Sequence, residues 1–169
     1  MMYSYIYHTP RGLDDLQLFS DGKFLTGVCF IHSKDAKKFS EDAVEASLPI
    51  FEETVRWLDV YFDGRDPGKL PPYRLTDASY FQKEVAERML KIPYGETVTY
   101  GQIADELAEA HHIKKMSAQA VGGAVGRNPL CILIPCHRVV GAGGKMTGYG
   151  GGLSNKIRLL QLEKVIPEP

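Results

Sequence analysis

The feature that most limits what this chain can fold into is a proline- and glycine-rich stretch, Arg65 to Pro72. There, Asp66-Pro67-Gly68 and Pro71-Pro72 let neither helix nor strand ladder continue. The apolar spacing differs on its two sides. Before it, Tyr3 to His8, Leu16 to Ser20 and Phe24 to Ile31 alternate as strands do, parted by Pro10-Arg11-Gly12 and by Asp21-Gly22, a tight-hairpin pair. These segments predict an antiparallel meander. Ser40 to Asp63 carries helical spacing, with Ile50, Phe51, Val55, Leu58, Tyr61 and Phe62 on one face, Pro49 suited to a first turn and Gly64 to the stop. That helix would cover the sheet.

Beyond the proline-rich stretch helix signals dominate. Ser79-x-x-Gln82 has a capping-box pattern ahead of Phe81, Val85 and Met89, and Pro93 ends that helix. Thr99-x-x-Gln102 opens another, with Ile103, Ala104, Leu107 and Ala108 inward, and a further one runs from Ser117 through Ala118 to Val125. The last two, joined by a polar turn holding His111, His112, Lys114 and Lys115, have the layout of a helix-turn-helix. The helix after Ser117 has almost no bulk, being built of Ala118, Ala120, Gly122, Gly123 and Ala124, and each glycine costs about 1 kcal/mol relative to alanine. Something must approach its backbone closely, either another helix or a nucleic-acid groove. A terminal helix is expected from a Ser154 cap to Glu163, with Ile157, Leu159 and Leu160 inward. The fold class is α+β in two units, 1–72 and 77–169, joined by a linker over about 65–76.

Charge separates the halves too. From His111 onward Lys114, Lys115, Arg127, Arg138, Lys145, Lys156, Arg158 and Lys164 stand against only Glu163 and Glu168. That balance suits a polyanion such as nucleic acid, and equally a solvated basic face. No run approaches the roughly 20 apolar residues of a membrane span, and the start Met-Met-Tyr-Ser-Tyr-Ile-Tyr lacks the pattern of a secretion signal. Cys29, Cys131 and Cys136 are an odd, sparse set that argues against a disulfide framework. A cytoplasmic monomer without membrane contact is expected.

The chemistry concentrates between Arg127 and Val140. Leu130 to Ile134 reads as a short buried strand that Pro135 stops, leaving the Cys136 thiol where regular structure ends. His137 offers a base, while Arg127 and Arg138 offer charge that favours thiolate; a cysteine in this place also serves as a small buried hydrophobe. Cys131, Cys136, His137 and the His111-His112 pair lack the tight spacing of structural zinc sites, so no metal is expected. Gly141 to Gly152 holds seven glycines around Lys145, Met146, Thr147 and Tyr149 without the spacing of a nucleotide P-loop, and reads as a mobile active-site wall.

Pro135-Cys136-His137-Arg138-Val139, preceded by Asn128-Pro129, resembles the O6-alkylguanine-DNA alkyltransferase family. The resemblance is dense from about Leu75 to Glu163, through Phe81-Gln82, Ile92-Pro93-Tyr94-Gly95-Glu96, Thr99-Tyr100, Ala120-Val121-Gly122-Gly123-Ala124 and Tyr149-x-Gly151-Gly152-Leu153. It is looser before that, resting on Leu58-Asp59-Val60-Tyr61-Phe62-x-Gly64. The resemblance implies an N-terminal ribonuclease-H-like antiparallel sheet with a helix, and a mostly helical, winged-helix-like C-terminal unit. It also implies direct, irreversible, cofactor-free transfer of an alkyl group from O6 of a flipped-out guanine in double-stranded DNA, with O4 of thymine a second target, to Cys136. In this scheme His137 is the base, reached through a bridging water; Glu163 orients it, Asn128 pins the turn carrying the cysteine, and Tyr100 helps protonate the leaving base. Tyr100, Val139, Tyr149 and Gly150 would form the base pocket. Lys115, Ser117, Gln119, Ala120, Gly122, Gly123, Arg127 and Arg138 would meet DNA, the slim helix entering the minor groove.

Two departures from the family pattern stand out. Gln119 occupies the place of an arginine that fills the gap left by the flipped base, which predicts weaker duplex binding or slower flipping. Cys29 is the only cysteine before residue 131, so the zinc of some relatives' N-terminal units is not expected. A binding-only damage sensor and a Cys-His hydrolase are the competing classes; the presence of Cys136 speaks against the first, and the lack of a clear oxyanion-hole element against the second.

Overall fold

The structure is a computed structural model that describes residues 1–39 and 41–168. Alternating residues give β1 (Tyr3–Tyr7), β2 (Leu16–Ser20) and β3 (Leu25–Phe30), paired antiparallel with Tyr3 opposite Ser20 and Leu16 opposite Phe30. At the β2–β3 turn the Asp21 carboxylate accepts the Lys23 and Phe24 N–H groups, and Gly22 sits at φ 108°, where a side chain would be strained.

The sheet is not purely antiparallel. A short β4 (Val44–Glu45) runs parallel to β1, giving the order β3-β2-β1-β4. It lies inside the stretch expected to be helical, and α1 spans only Pro49–Phe62. Proline drives its predecessor out of helical geometry, and Leu48 is accordingly extended, so the helix cannot begin earlier. Ser40, the expected start, lies outside the described residues. α1 buries Ile50, Phe51, Thr54, Leu58 and Tyr61 and packs on β2 and β3.

Both capping boxes form. Ser79 and Gln82 exchange bonds at the start of α2 (Tyr80–Leu90), which buries Val85, Ala86 and Met89. Thr99 and Gln102 do the same at α3 (Tyr100–Ala110), which buries Ile103, Ala104, Leu107 and Ala108. α3 packs on α4 (Ala118–Gly126), whose Ser117 Oγ accepts the Ala120 N–H. A two-stranded parallel pair, β5 (Val98–Thr99) with β6 (Val139–Val140), ties the start of α3 to the cysteine segment. The last helix, α5 (Leu153–Leu162), is entered from Gly152 at φ 99° rather than capped by Ser154, and it buries the polar Asn155 and Lys156 beside Leu159 and Leu160.

The proline-rich connection is not a free tether. Leu25 donates its N–H to the Pro72 carbonyl, and Arg74 donates to the Leu25 carbonyl, along the outer edge of β3. Farther along that edge Val28 donates to Pro129 and accepts from Cys131. The unpaired edge of the sheet is thus satisfied by the segments before α2 and after α4. One continuous apolar core results, running from Leu18 and Phe30 through Leu58 and Met89 to Leu130 and Leu159.

Candidate active site

Leu130 to Ile134 is buried as expected but is not a strand: Leu130 alone bridges to Val28, and the chain then turns. Ile132 stands at φ 69°, unfavourable for a β-branched residue, and Leu133 closes a tight turn by donating to the Cys131 carbonyl. The Asn128 side chain holds this turn. Its Nδ2 donates to the Ile134 carbonyl at 2.8 Å and the Leu130 carbonyl at 3.4 Å, while its Oδ1 accepts the Leu130 N–H at 3.0 Å. Pro135, at φ −79° and ψ 67°, makes a second tight turn in which Cys136 donates to the Ile134 carbonyl. Cys136 thereby opens a single helical turn, Cys136–Arg138, with its thiol 5 % exposed and 3.5 Å from the Tyr149 hydroxyl.

The thiol is not pre-ionised. Burial pushes its pKa above the ordinary 9.0, against smaller lowering contributions from the Tyr149 hydroxyl and the Asn128 amide. The expected help from arginine is absent because both guanidinium groups are placed elsewhere. Arg127 is exposed at the end of α4. Arg138 is 9 % exposed and turned inward, donating from Nε to Glu163 Oε1 at 2.8 Å and from Nη1 to the Ile92 carbonyl at 2.9 Å, with its guanidinium near the Tyr94 ring. The expectation that Arg138 meets DNA is therefore corrected; a buried guanidinium needs its counter-charge, and Glu163 supplies it.

Glu163, at the end of α5, is the hub. Oε1 also accepts the Gly95 N–H at 3.0 Å, and Oε2 accepts the Tyr61 hydroxyl at 2.6 Å and lies 2.5 Å from His137 Nε2. Burial would raise its pKa, but the bonds from His137 and Arg138 outweigh that and hold it at about 2. His137 is fully buried, and burial lowers its pKa below the ordinary 6.5, so the imidazole is neutral at rest. With Nε2 facing the carboxylate, its proton belongs there; Nδ1 is buried without a protein partner and is the nitrogen left to act. Tyr61 comes from α1, so the sheet-side half of the chain contributes directly to this network.

A cavity of about 60 Å³ opens beside Cys136, lined by Tyr100, Val125, Asn128, Tyr149, Gly150 and Asp35. It is far smaller than the roughly 300–1,000 Å³ of ordinary ligand pockets. Tyr100 is half-buried, its hydroxyl 3.3 Å from Thr147 Oγ1. Val139 is buried in β6, and its carbonyl already accepts Lys156 Nζ at 2.8 Å, leaving one lone pair. The glycine-rich segment forms the outer wall, with Thr147 against Tyr100 and Tyr149 against Cys136.

Outside this cavity, α4 presents Ala118, Gln119, Ala120 and Gly123 to solvent, with Lys115 and Ser117 exposed ahead of it and Gly122 half-buried beside Tyr100. A Cβ on Gly123 would come no nearer than 3.7 Å to any neighbour, and one on Gly126 would meet nothing within 4 Å. Packing inside the chain does not require these glycines. Sequence reasoning missed Tyr61, Asp35, Lys38 and Lys156. Tyr61 had a signal, because a tyrosine on the apolar face of a helix must find a partner for its hydroxyl.

Comparison with known proteins agrees with this geometry. The family model 6-O-methylguanine DNA methyltransferase, DNA binding domain, matches residues 80–165. A methylated-DNA–protein-cysteine methyltransferase of Methanosarcina acetivorans is 39 % identical over 165 residues, covering 96 % of this chain and 98 % of the relative. One from Mycobacterium leprae is 44 % identical over 117 residues, 68 % of this chain and 66 % of the relative. The crystal structure of Mycobacterium tuberculosis OGT in complex with DNA superposes with a TM-score of 0.79 at 35 % identity, covering 96 % of this chain and 92 % of that one. The chain belongs to the methylated-DNA–protein-cysteine methyltransferase family.

Proposed function

We propose that this chain repairs alkylated double-stranded DNA by moving an alkyl group from O6 of a flipped-out guanine, or O4 of thymine, onto Cys136, once per molecule. The observation that carries this reading is the buried Cys136 thiol beside a neutral His137 whose Nε2 is locked to Glu163 and whose Nδ1 is left open. In the transfer, Cys136 Sγ attacks the alkyl carbon, the carbon–O6 bond breaks with its electron pair staying on the base, and His137 takes up the thiol proton at Nδ1 through a bridging water. The Tyr100 hydroxyl, on the cavity wall, donates to the departing base. Because Glu163 already carries a charge shared among several donors, it stabilises the imidazolium without becoming protonated itself. No metal or cofactor is needed, since attack on saturated carbon requires only a nucleophile, a pocket and a proton route.

DNA recognition is assigned to α3 and α4 as a helix-turn-helix, with Lys115, Ser117, Gln119, Ala120, Gly122, Gly123 and Arg127 at the duplex; a helix without bulk can lie in a minor groove and let a base swing out beside it. The sheet and α1 form a ribonuclease-H-like support unit over 1–72, and residues 77–169 form the winged-helix-like acceptor unit. No helix among the described residues is long and apolar enough to cross a membrane. We place the protein in the cytoplasm as a monomer. Intact-mass analysis after mixing with an O6-methylguanine duplex tests the reading: one methyl gained by the chain and none by Cys136→Ala is expected, and DNA binding without any adduct would overturn it.

A further inference from the structure

One acidic residue from the sheet side reaches the thiol's cavity, and it owes its place to three anchors. Asp35 lies in a single helical turn, Lys34–Lys38, that comes after β3. Just beyond the turn, Phe39 stacks on Phe19 at 4.4 Å between ring centroids and fills the space above Gly27, where a Cβ would overlap its ring. The Asp35 N–H donates to the Gly150 carbonyl at 3.1 Å, and Lys38 Nζ lies 2.9 Å from Asp35 Oδ1. The same Nζ donates to the carbonyls of Gly126 at 2.8 Å and Asn128 at 3.2 Å, joining the end of α4 and the residue that pins the cysteine turn. The carboxylate is thus held rigidly, 8 % exposed, against the cavity that contains Cys136.

Its bulk already decides one residue. A Cβ on Gly150 would fall inside contact distance of Asp35 Oδ1, so glycine is required there as long as Asp35 stays. Asp35 is thus part of the wall of the same cavity as Cys136, next to Tyr149 and Gly150 in its lining.

We propose that Asp35 is a specificity-determining residue that limits the size of the alkyl group this chain accepts; the inference rests on the alkyl-transfer reading above. The reaction step is unchanged, with the alkyl carbon passing from O6 to Sγ, the electron pair remaining on the base and the thiol proton passing to His137 and then the base. Only the room around the moving carbon differs, and Asp35, held by its Lys38 partner, sets it.

The test compares single-turnover transfer from two duplexes that differ only in carrying O6-methylguanine or O6-benzylguanine, using the full chain, Asp35→Ala and Asp35→Asn. Asp35→Ala is expected to raise the benzyl-to-methyl rate ratio by about tenfold or more, since room for even one methylene weighs that much in a close-fitting pocket. The isosteric Asp35→Asn keeps the wall and is expected to leave the ratio within about twofold of the unaltered chain. A ratio is used because a merely structural role slows both substrates alike. An unchanged ratio in Asp35→Ala, or an equal change in Asp35→Asn, would overturn the proposal while leaving methyl transfer standing. No methyl transfer by the unaltered chain would overturn the functional reading and this inference with it.

Discussion

Replacing Glu163 with glutamine keeps the shape of the side chain and removes its charge, and the cost is set by the bonds that lose their acceptor. The two carboxylate oxygens take bonds from Gly95 and Arg138 on one side and from Tyr61, His137 and Arg138 on the other, with the side chains of Glu163, Tyr61 and His137 shut away from water. A glutamine offers one oxygen, so its amide nitrogen must face one of these donor sets, and Arg138 is left buried without its counter-charge. Breaking a buried pair from one side costs about 3–5 kcal/mol. For a chain of this size each kcal/mol moves the thermal midpoint about 2–4 °C, so a drop of roughly 6–20 °C is expected. Acid provides an independent handle. With its pKa at about 2 against an ordinary 4.5, the Glu163 carboxylate stabilises the fold above 4.5, and that contribution is lost as pH falls through 4.5 toward 2. At 1.36 kcal/mol per pH unit it amounts to about 3 kcal/mol. His137, whose pKa is lowered by burial, acts in the same direction from 6.5 downward, because the unfolded chain takes up a proton that the folded chain refuses. Urea unfolding monitored by the fluorescence of Trp57, the only tryptophan, which stacks on Tyr61, reports both effects. Glu163→Gln should be less stable near neutral pH and should show a shallower acid slope. A loss under about 1 kcal/mol, or an unaltered slope, would refute the hub role of Glu163.

The same geometry makes three further outcomes testable. Asn128→Ala removes the bonds that hold the Leu130–Ile134 turn, and should cost about 2 kcal/mol in urea unfolding and slow alkyl transfer by about tenfold or more, since the thiol loses its fixed position. Burial keeps Cys136 a thiol and His137 neutral, so His137 must take the proton in the transfer step and the single-turnover rate should fall once acid protonates His137; a rate indifferent to acid would remove His137 from the step. Gln119→Arg adds a charge on the exposed face of α4 and should tighten duplex binding in a salt-dependent manner; equal affinities and repair rates for the two chains would remove Gln119 from the flipping step.

Local signals carried much of the fold. The hairpin at Asp21-Gly22 and the capping boxes at Ser79 and Thr99 sit where their side-chain chemistry puts them, because each is satisfied within a few residues of itself. What escaped sequence reasoning depends on distant partners. Leu130–Ile134 has the composition of a strand, yet its backbone is satisfied by Val28 and by the Asn128 side chain, which no spacing rule anticipates. β4 forms because Val44 donates to the Met2 carbonyl and Ala46 donates to the Ser4 carbonyl, both across some 40 residues of chain. Arg138 reads as a surface cation, since a sequence does not tell which arginine has a buried carboxylate waiting for it. In the candidate site, Cys136 and His137 stood out where the apolar run ends at Pro135, the roles of Glu163 and Asn128 were legible only through the family resemblance, and Tyr61, Asp35 and Lys38 arrive from the other half of the chain.

The most direct test of a one-use acceptor is stoichiometry. Increasing amounts of an O6-methylguanine duplex are added to a fixed amount of protein, repaired guanine is counted, and the modified peptide is mapped. Repair should stop at one guanine per chain, with the methyl on Cys136 and none on the equally buried Cys29 or Cys131. Repair continuing past one equivalent, or a methyl group residing on either of the other cysteines, would contradict the account.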